Sequence, residues 1–331
     1  MILAGDIGGT NARLAYFEPQ NGDLHLVHEN IYPSREFADF GDIVTKFLKD
    51  LPSHPEVACF GIAGPVRNGR VATSNLPWTI EQNLLAQRIH LPDTLLINDL
   101  EASAWGIGGL GPQDFAQLNR MPIGVGNQAV IAPGTGLGEA GLFWNGKRHE
   151  IFASEGGHTD FAPQGELQIE LLRFLASRYG HVSYERILSG PGLVNVYEFL
   201  RKHEGEETKD LMSPLADGDA PAAISRAALN GTSPLAEKAL DLWISIYGAE
   251  AGNLALKTMA TGGVFLGGGI SPKILPKLTG PAFMKAFLDK GRLRPLVESI
   301  SVHVITNEKA GLLGAARCAA VKGNAVVMGT S

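Results

Sequence analysis

An aspartate followed by a pair of glycines stands near the start of the chain, and this arrangement suits phosphate and cation binding. Apolar residues lead into Asp6, and Gly8 and Gly9 can adopt turn angles that residues with a Cβ resist. Backbone N–H groups of such a turn can surround phosphate oxygens, while the carboxylate holds a cation against them. The alternative is an ordinary glycine-rich hairpin, because glycine turns are common between strands.

A second stretch repeats this layout later in the chain. An apolar strand pattern over residues 129–133 is followed by Gly-Thr-Gly at 134–136, and a second apolar run ends at Trp144. Asn145-Gly146 then marks a hairpin turn. Two similar strand–turn–strand units predict a duplicated fold with one phosphate-binding turn in each half.

The second unit also contains a pattern that is typical of dinucleotide-binding folds. Gly136, Gly138 and Gly141 match G-x-G-x-x-G, and Asp160 follows about 20 residues later. That pattern requires a helix directly after the turn, whereas residues 142–146 predict a strand and a hairpin. We therefore reject a dinucleotide site. A P-loop is excluded as well, because G-x-x-x-x-G-K-[ST] does not occur.

A carboxylate at the end of an apolar strand is the candidate catalytic residue. The run 94–97 predicts a buried strand, which leads into Asn98 and Asp99 just before a predicted helix. In open α/β sheets, ligands bind at the carboxyl ends of strands. Asp99 is therefore placed as a catalytic carboxylate would be. The alternative is that Asn98 or Asp99 only caps the helix.

Glu155 and His158 flank Gly156-Gly157 and are spaced as in some helical metal sites. The glycine pair argues against a helix, and so against a metal pair. A carboxylate and an imidazole on a loop better suit hydrogen bonds to a polyhydroxy ligand, the alternative being a surface turn. Glu185 falls in the first turn of a predicted short helix, where the helix dipole favours a negative charge.

The elements that must position these residues alternate between strand and helix patterns, which indicates an α/β fold. Apolar runs at 57–63 and Val302–Ile305 predict strands, and helical spacing marks 37–51 and 234–259. Residues 107–128 hold many turn residues and predict loops and short pieces.

Two further segments have compositions that predict close backbone contacts. A predicted strand from residue 261 ends in three glycines at 267–269, and such a run lets a flat ring lie against bare backbone. Residues 310–321 predict a helix of small residues, suited to close packing under a sheet.

Composition excludes several classes of protein. The 331 residues suggest about two domains, and 41 of them are glycine, above the average share of about 7%. The net charge of −6 without a long basic run makes nucleic acid an unfavourable partner. No apolar run reaches the ~18 residues of a membrane span, and the N-terminus lacks a signal-peptide pattern. Two cysteines, Cys59 and Cys318, are too few for a disulfide framework, so we expect a reducing cytoplasm.

Taken together, these motifs resemble the bacterial glucokinase family, which belongs to the actin-like, RNase-H-fold sugar kinases. The glycine motifs are shared across that superfamily, whereas the Glu-Gly-Gly-His run and the segment that begins at Glu185 are more specific. The similarity covers about residues 1–200 and 240–318 and is weak over 203–235. The zinc-binding Cys/His cluster of the repressor-related sugar kinases is missing, so we favour the other branch. The segments that carry the resemblance are 5–13, 97–99, 134–138, 155–158, 185–195 and 267–270.

The resemblance implies an α/β, two-lobed actin-like ATPase fold, duplicated from an RNase-H-like unit, with the ligand cleft between the lobes. It implies a small N-terminal lobe over residues 1–106 and a large C-terminal lobe over 107–331. The C-terminal helix near 310–321 is expected to pack back on the small lobe.

The resemblance also implies an activity, the ATP-dependent phosphorylation of the 6-hydroxyl of D-glucose to glucose 6-phosphate, which feeds glycolysis. Asp99 would be the general base, and Asn98, Glu155, His158 and Glu185 would bind the sugar together with it. Asp6 would hold Mg²⁺ through water. The residues implied in ATP binding are Gly5, Asp6, Ile7, Gly8, Gly9, Thr10, Gly134, Thr135, Gly136, Gly267, Gly268 and Gly269. Relatives are usually dimers, so we expect a cytoplasmic homodimer that binds neither nucleic acid nor membranes.

Three alternatives remain open at this point. A kinase for another hexose or an amino sugar would use the same fold. A non-catalytic sugar-sensing regulator would be expected to carry a basic helix-turn-helix segment, whereas this chain starts directly with a strand pattern. An actin-like ATPase or filament protein would not need the Glu/His/Glu set.

Overall fold

The computed structural model describes residues 1–73, 76–204 and 219–323, and the chain divides into two compact units. The first unit contains Met1–Asp114, Gly146–Ile151 and the described chain from Asn307 onward. The second contains Phe115–Asn145 and Phe152–Thr306. Residues 107–114 and the C-terminal helix thus group with the N-terminal residues.

The first sheet has five strands in the order β3-β2-β1-β4-β7. Strand β1 pairs antiparallel with β2 and parallel with β4, and β4 pairs parallel with β7. Strands β5 and β6 form a separate antiparallel pair. The strand bounds are β1 Ile2–Ile7, β2 Asn11–Gln20, β3 Asp23–Pro33, β4 Val57–Ile62, β5 Arg70–Ala72, β6 Thr79–Glu81 and β7 Thr94–Asn98. The helices of this unit are Phe40–Leu48, Gln82–Arg88, Asp99–Ile107 and Ala310–Lys322, with 3₁₀ turns at Ser34–Glu36 and Pro112–Asp114.

Both faces of the first sheet are covered by apolar side chains, as expected for strands that consist of continuous apolar runs. Residues such as Leu3 and Phe60 pack on the side of the Phe40–Leu48 helix, and Ile2 and Cys59 pack on the side of the Ala310–Lys322 helix. The small residues of the latter helix permit a close approach. A Cβ added at Gly314 would collide with the carbonyl oxygen of Ala102, which lies in the Asp99–Ile107 helix.

The second sheet has the order β11-β10-β9-β12-β13-β8. Strand β9 pairs antiparallel with β10 and parallel with β12, β12 pairs parallel with β13, and β8 is an antiparallel edge strand. The bounds are β8 Phe115–Gln117, β9 Gln128–Pro133, β10 Leu137–Trp144, β11 His149–Ser154, β12 Gly263–Leu266 and β13 Val302–Ile305. The helices that follow β11 and precede β13 are Gly165–Tyr179, Gly190–Glu204, Ala220–Leu229, Pro234–Thr258, Leu275–Leu278, Pro281–Leu288 and Arg294–Glu298. Short 3₁₀ turns occur at Gly156–His158, Tyr184–Arg186 and Gly291–Leu293.

The long helix Pro234–Thr258 forms the centre of the second unit's core. Its Trp243 and Tyr247 are fully buried, and Tyr247 contacts the ring of Phe283 edge-on. In the described part of the chain, this helix included, no helix combines the length and apolarity needed to cross a bilayer.

The two sheets repeat one topology. In each, three strands that follow one another along the chain lie side by side, the first two of them antiparallel, and two later strands add in parallel beside the first, giving β3-β2-β1-β4-β7 and β11-β10-β9-β12-β13. The duplication predicted from the two glycine turns is therefore confirmed. The strand predicted directly after the second glycine turn is confirmed too, because β10 and not a helix follows Gly136.

Candidate functional site

The two candidate carboxylates of the first unit lie at the carboxyl ends of β1 and β7, the outer two of three neighbouring parallel strands. Ile7 of β1 is in register with Ile62 of β4, which is in register with Asn98 of β7. Gly61 between them leaves room for the helix that begins at Asp99, since a Cβ there would lie only 2.7 Å from Ala102 Cβ. The sheet therefore brings Asp6 and Asp99 to the same edge, where ligands of open α/β sheets bind.

Asp6 is largely withdrawn from solvent and interacts with Asp99. Burial, followed by the negative charge of Asp99, raises the pKa of Asp6 from 3.8 to about 6, against the opposing effect of Arg13. Arg13 faces Asp6 across the β1–β2 pair. Two carboxylates held near each other attract a cation, because it relieves their mutual repulsion.

Asp99 is exposed, but the surrounding protein atoms still reduce the solvation of its carboxylate. This desolvation raises the pKa of Asp99 above its ordinary value, while hydrogen bonds from backbone N–H groups and from the Asn98 side chain oppose the rise. The backbone N–H of Leu100 donates to Asp99 Oδ1 at 2.9 Å. A raised pKa makes Asp99 a stronger proton acceptor than an ordinary aspartate.

Asn98 caps the helix that begins at Asp99. Its Oδ1 accepts from the Leu100 N–H at 2.9 Å, and its Nδ2 donates to the carbonyl oxygen of Gly64 at 3.0 Å. Asn98 therefore serves as the N-cap of this helix. Its role in sugar binding stays a prediction. The two hydrogen bonds already hold its side-chain amide in one orientation.

The first glycine turn joins β1 to β2 and is fixed from the side by Ser34. Gly8 N–H donates to Asn11 O at 2.9 Å, Ser34 N–H donates to Thr10 O at 2.9 Å, and Ser34 Oγ donates to Gly8 O at 3.0 Å. Gly5 has a packing role besides its predicted one, because a Cβ there would lie 2.7 Å from the Phe60 ring.

The structure brings the second glycine turn and the triple-glycine segment together within the second unit. Gly134 N–H donates to Gly136 O at 2.8 Å, which closes the turn between β9 and β10. Gly268 has φ +76°, and a Cβ there would collide with the carbonyl oxygen of Pro133. The backbone after β12 therefore lies directly against the residue that precedes the turn, whereas a Cβ added at Gly269 would meet no atom within 4 Å.

The three predicted sugar-binding side chains of the second unit meet at His158. Its Nδ1 lies 3.9 Å from Glu185 Oε1, and its Nε2 lies 4.0 Å from Glu155 Oε2. Glu155 and His158 are well exposed, whereas Glu185 is about one-third exposed. The result is a patch of two carboxylates and an imidazole with several outward hydrogen-bonding atoms.

One local prediction for this patch was wrong. Gly156–His158 forms a single 3₁₀ turn, whereas the glycine pair argued against a helix. A 3₁₀ turn requires only three residues, and a Cβ at Gly157 would collide with the carbonyl oxygen of Leu137. The glycines are therefore required by the close approach of this turn to β10.

Two contacts were not foreseen from the sequence. Glu185 Oε2 accepts a hydrogen bond from the backbone N–H of Leu137 at 3.0 Å, which ties the sugar patch to the end of the second glycine turn. In the first unit, a Cβ added at Gly311, in the first turn of the Ala310–Lys322 helix, would lie 3.3 Å from Asp6 Oδ2. Each contact joins residues far apart in the chain, so no local pattern could have predicted it.

Comparison with known proteins agrees with this geometry. The family model described as Glucokinase matches residues 3–322. The glucokinase of Nostoc sp. is 43% identical over 97% of this chain and 99% of its own length. The crystal structure of a glucokinase from an Antarctic psychrotroph superimposes with a TM-score of 0.85 at 31% identity, covering 96% of this chain and 98% of its own. A Balamuthia mandrillaris glucokinase solved in complex with glucose gives a TM-score of 0.78 at 25% identity, covering 96% and 93%. The predicted α/β, two-lobed actin-like fold class is thereby confirmed.

Proposed function

The chain belongs to the glucokinase family, whose reaction is the ATP-dependent phosphorylation of glucose, and we propose that Asp99 and the His158 patch perform that reaction at the sugar 6-hydroxyl. The observation that carries this assignment is the junction of Glu155, His158 and Glu185, with Glu185 also bonded to the second glycine turn. One carboxylate thereby contacts both the proposed sugar site and the proposed phosphate site.

The His158 patch supplies the groups that glucose recognition requires. Each sugar hydroxyl can both donate and accept a hydrogen bond, and two carboxylates with an imidazole provide acceptors and a donor. Hydrogen bonds to charged groups contribute ~1.5–3 kcal/mol each. We propose that Asn98 and Asp99 contribute the remaining sugar contacts, because their side chains lie at the sheet edge where ligands of α/β folds bind.

Asp99 is the proposed general base. Phosphoryl transfer needs little covalent chemistry from the protein, but the attacking hydroxyl must lose its proton as the new bond forms. The raised pKa of Asp99 favours this transfer. The backbone N–H of Leu100 donates to Oδ1, and we propose that the other oxygen, Oδ2, accepts the proton.

The two glycine turns are the proposed phosphate sites, with the bare backbone at 267–269 for the adenosine. Mg²⁺ keeps several waters and is held by one or two carboxylates together with substrate phosphates, so the Asp6 carboxylate beside Asp99 fits it as a ligand through water. When bound, the ion would neutralise phosphate charge. Asp6 itself orients the hydrated cation, and Ser34 keeps the first turn in shape.

Three broader parts of the proposal rest on the resemblance to relatives. We propose that the protein acts in the cytoplasm, that its product enters glycolysis, and that it forms a homodimer. Light scattering of the purified chain would test the dimer, since a monomeric mass over the whole concentration range would contradict it.

The experiment that tests the function measures ADP release with a sugar panel. Glucose, mannose, fructose and N-acetylglucosamine are each varied at saturating Mg-ATP, with Asp99→Asn as the inactive control. We expect the highest kcat/KM with glucose. A higher value for another sugar would move the assignment to a different hexose or amino sugar kinase, and no sugar-dependent ADP release would contradict the kinase activity.

A further inference from the structure

A buried carboxyl group lies directly beneath the turn that carries Glu155 and His158. Glu139, in strand β10, is only 1% exposed. A Cβ added at Gly156 would collide with Glu139 Oε2, so this oxygen fills the space that the glycine leaves. The other oxygen, Oε1, has no hydrogen-bond partner among the described residues. None of the roles assigned above uses this group.

The buried group belongs to a cluster that also reaches the segment of Glu185. Glu250, fully buried in the Pro234–Thr258 helix, accepts from Lys257 Nζ and from Asn253 Nδ2, each at 2.9 Å. Asn253 Nδ2 also donates to the hydroxyl of Tyr184 at 3.1 Å, and Tyr184 immediately precedes Glu185. The cluster thus lies under both loops that form the His158 patch.

The charges around Glu139 favour its neutral form. Burial, followed by the negative charge of Glu250, raises the pKa of Glu139 from 4.5 to about 8, while Lys257 opposes the rise. Burial also raises the pKa of the neighbouring Tyr184 and Tyr247 above the ordinary tyrosine value, so both stay neutral. Lys290 also interacts with Glu250, and its Nζ donates to Ala249 O at 3.0 Å.

We propose that Glu139 is a positioning residue for glucose, whose neutral carboxyl group supports the Gly156–His158 turn from below. This inference rests on the proposed function, because it assumes that Glu155 and His158 bind the sugar. Ionisation of Glu139 would place a second negative charge beside Glu250 and force the carboxylate toward solvent. The turn above it would then move, and glucose binding would weaken at alkaline pH.

The packing makes Glu139 and Gly156 interdependent. A Cβ at Gly156 would collide with Glu139 Oε2, and a Cβ at Gly157 would collide with Leu137 O. Both atoms belong to β10, so the turn has little freedom to shift. A side chain at residue 156 should therefore be tolerated only when the carboxyl group at residue 139 is removed.

The test measures glucose affinity by isothermal titration calorimetry without nucleotide, for wild type, E139Q, E139A, G156A and the double variant E139A/G156A. We expect E139A and G156A each to raise Kd at least ~10-fold at about pH 7, equal to about 1.4 kcal/mol. E139Q, a neutral isostere, should stay within ~3-fold of wild type. The double variant should bind more tightly than G156A alone, which additive effects would not produce.

The pH dependence provides a readout that a merely structural role would not alter. Because each pH unit above a pKa lowers the neutral fraction about tenfold, wild-type Kd should rise about tenfold by about pH 9, and E139Q should show no such rise. Equal rises in wild type and E139Q, or additive effects of E139A and G156A, would overturn the inference. A wild-type chain that binds no glucose at any pH would instead contradict the proposed function. Circular dichroism of each variant separates loss of binding from loss of fold.

Discussion

Asp6 should determine the acid side of the pH profile. Its pKa is raised to about 6 in the folded protein, so the carboxylate is ionised above this pH and neutral below it. Because only the ionised form attracts a hydrated cation, kcat/KM for Mg-ATP at saturating glucose should fall as the pH is lowered through about 6. Asp6→Asn should be slow at every pH and lack this fall. The same acid fall in Asp6→Asn would assign it to another group.

The buried Glu139 should make the protein less stable as the pH rises. In the unfolded chain this carboxyl group ionises near 4.5, whereas in the folded protein it ionises near 8. Between these values the unfolded state binds fewer protons, so the stability that is present below pH 4.5 is lost as the pH rises to about 8. Glu139→Gln cannot ionise and should have a higher Tm than wild type at about pH 8, with a smaller difference near pH 4.

Thermal unfolding across this pH range checks the prediction. Glu166→Gln is the matched control, because Glu166 is an exposed glutamate whose side chain is 71% accessible. A pH-independent difference between Glu139→Gln and wild type would show that Glu139 does not change its ionisation on folding.

His158 and Glu185 should affect glucose more than ATP. Glu185→Gln removes a charge from the sugar patch but keeps an oxygen that can accept from Leu137 N–H, and His158→Ala removes the link between the two carboxylates. We expect each to raise the glucose KM at least ~10-fold, about 1.4 kcal/mol, with a much smaller change in the ATP KM. Steady-state kinetics with each substrate varied in turn measures this. Equal shifts of both KM values would mean that these residues maintain the fold and do not recognise the sugar.

At the scale of elements, the sequence predicts what local patterns encode. The apolar run that ends in Asp6-Ile7-Gly8-Gly9 encodes a strand, an acid and a turn in one short stretch. The run that ends in Asn98-Asp99 encodes a strand and an acid in the same way. Strand β8 has no such signal, since its three residues are stabilised by pairing with β13, far along the chain. The loops and short pieces predicted over 107–128 therefore include a short strand whose partner no local pattern identifies.

Glu139 shows another limit of local patterns. Glu139 lies on the same face of β10 as Leu137 and Gly141, because side chains two residues apart in a strand point to the same side. This period of two places the Glu139 carboxyl group on the buried face. Only the packing of Gly156 and the Pro234–Thr258 helix shows that this face is closed. A lone acid among apolar and small residues of a strand was the available signal.

The C-terminal helix should hold the helix of Asp99 in place. Because a Cβ at Gly314 would collide with Ala102 O, Gly314→Ala must push the Ala310–Lys322 and Asp99–Ile107 helices apart. Overpacking of this kind costs ~1–3 kcal/mol, so the variant should unfold at lower urea concentration than wild type. Gly190→Ala is the control, since its new Cβ would meet no atom closer than 3.4 Å. Equal stability of the two variants would contradict the predicted clash.

At the scale of the whole molecule, one topology is used twice. Each copy places a three-residue glycine turn between its first two strands, residues 8–10 and 134–136. The two turns reveal the duplication in the sequence, but strand order depends on pairings such as β9 with β12, whose residues are separated by several helices. The packing of the C-terminal helix against β1 also joins distant parts of the chain, so it could be predicted only from the family resemblance.

The most direct test of the proposed mechanism measures both turnover and glucose binding in the Asp99→Asn variant. Glucose 6-phosphate formation is followed with glucose-6-phosphate dehydrogenase at saturating Mg-ATP, and glucose affinity of the same preparation is measured by calorimetry. Because general base catalysis contributes ~10²–10⁴-fold, turnover should be nearly abolished while Kd stays within about tenfold of wild type. A variant that retained more than about half of the wild-type turnover would show that Asp99 is not the base.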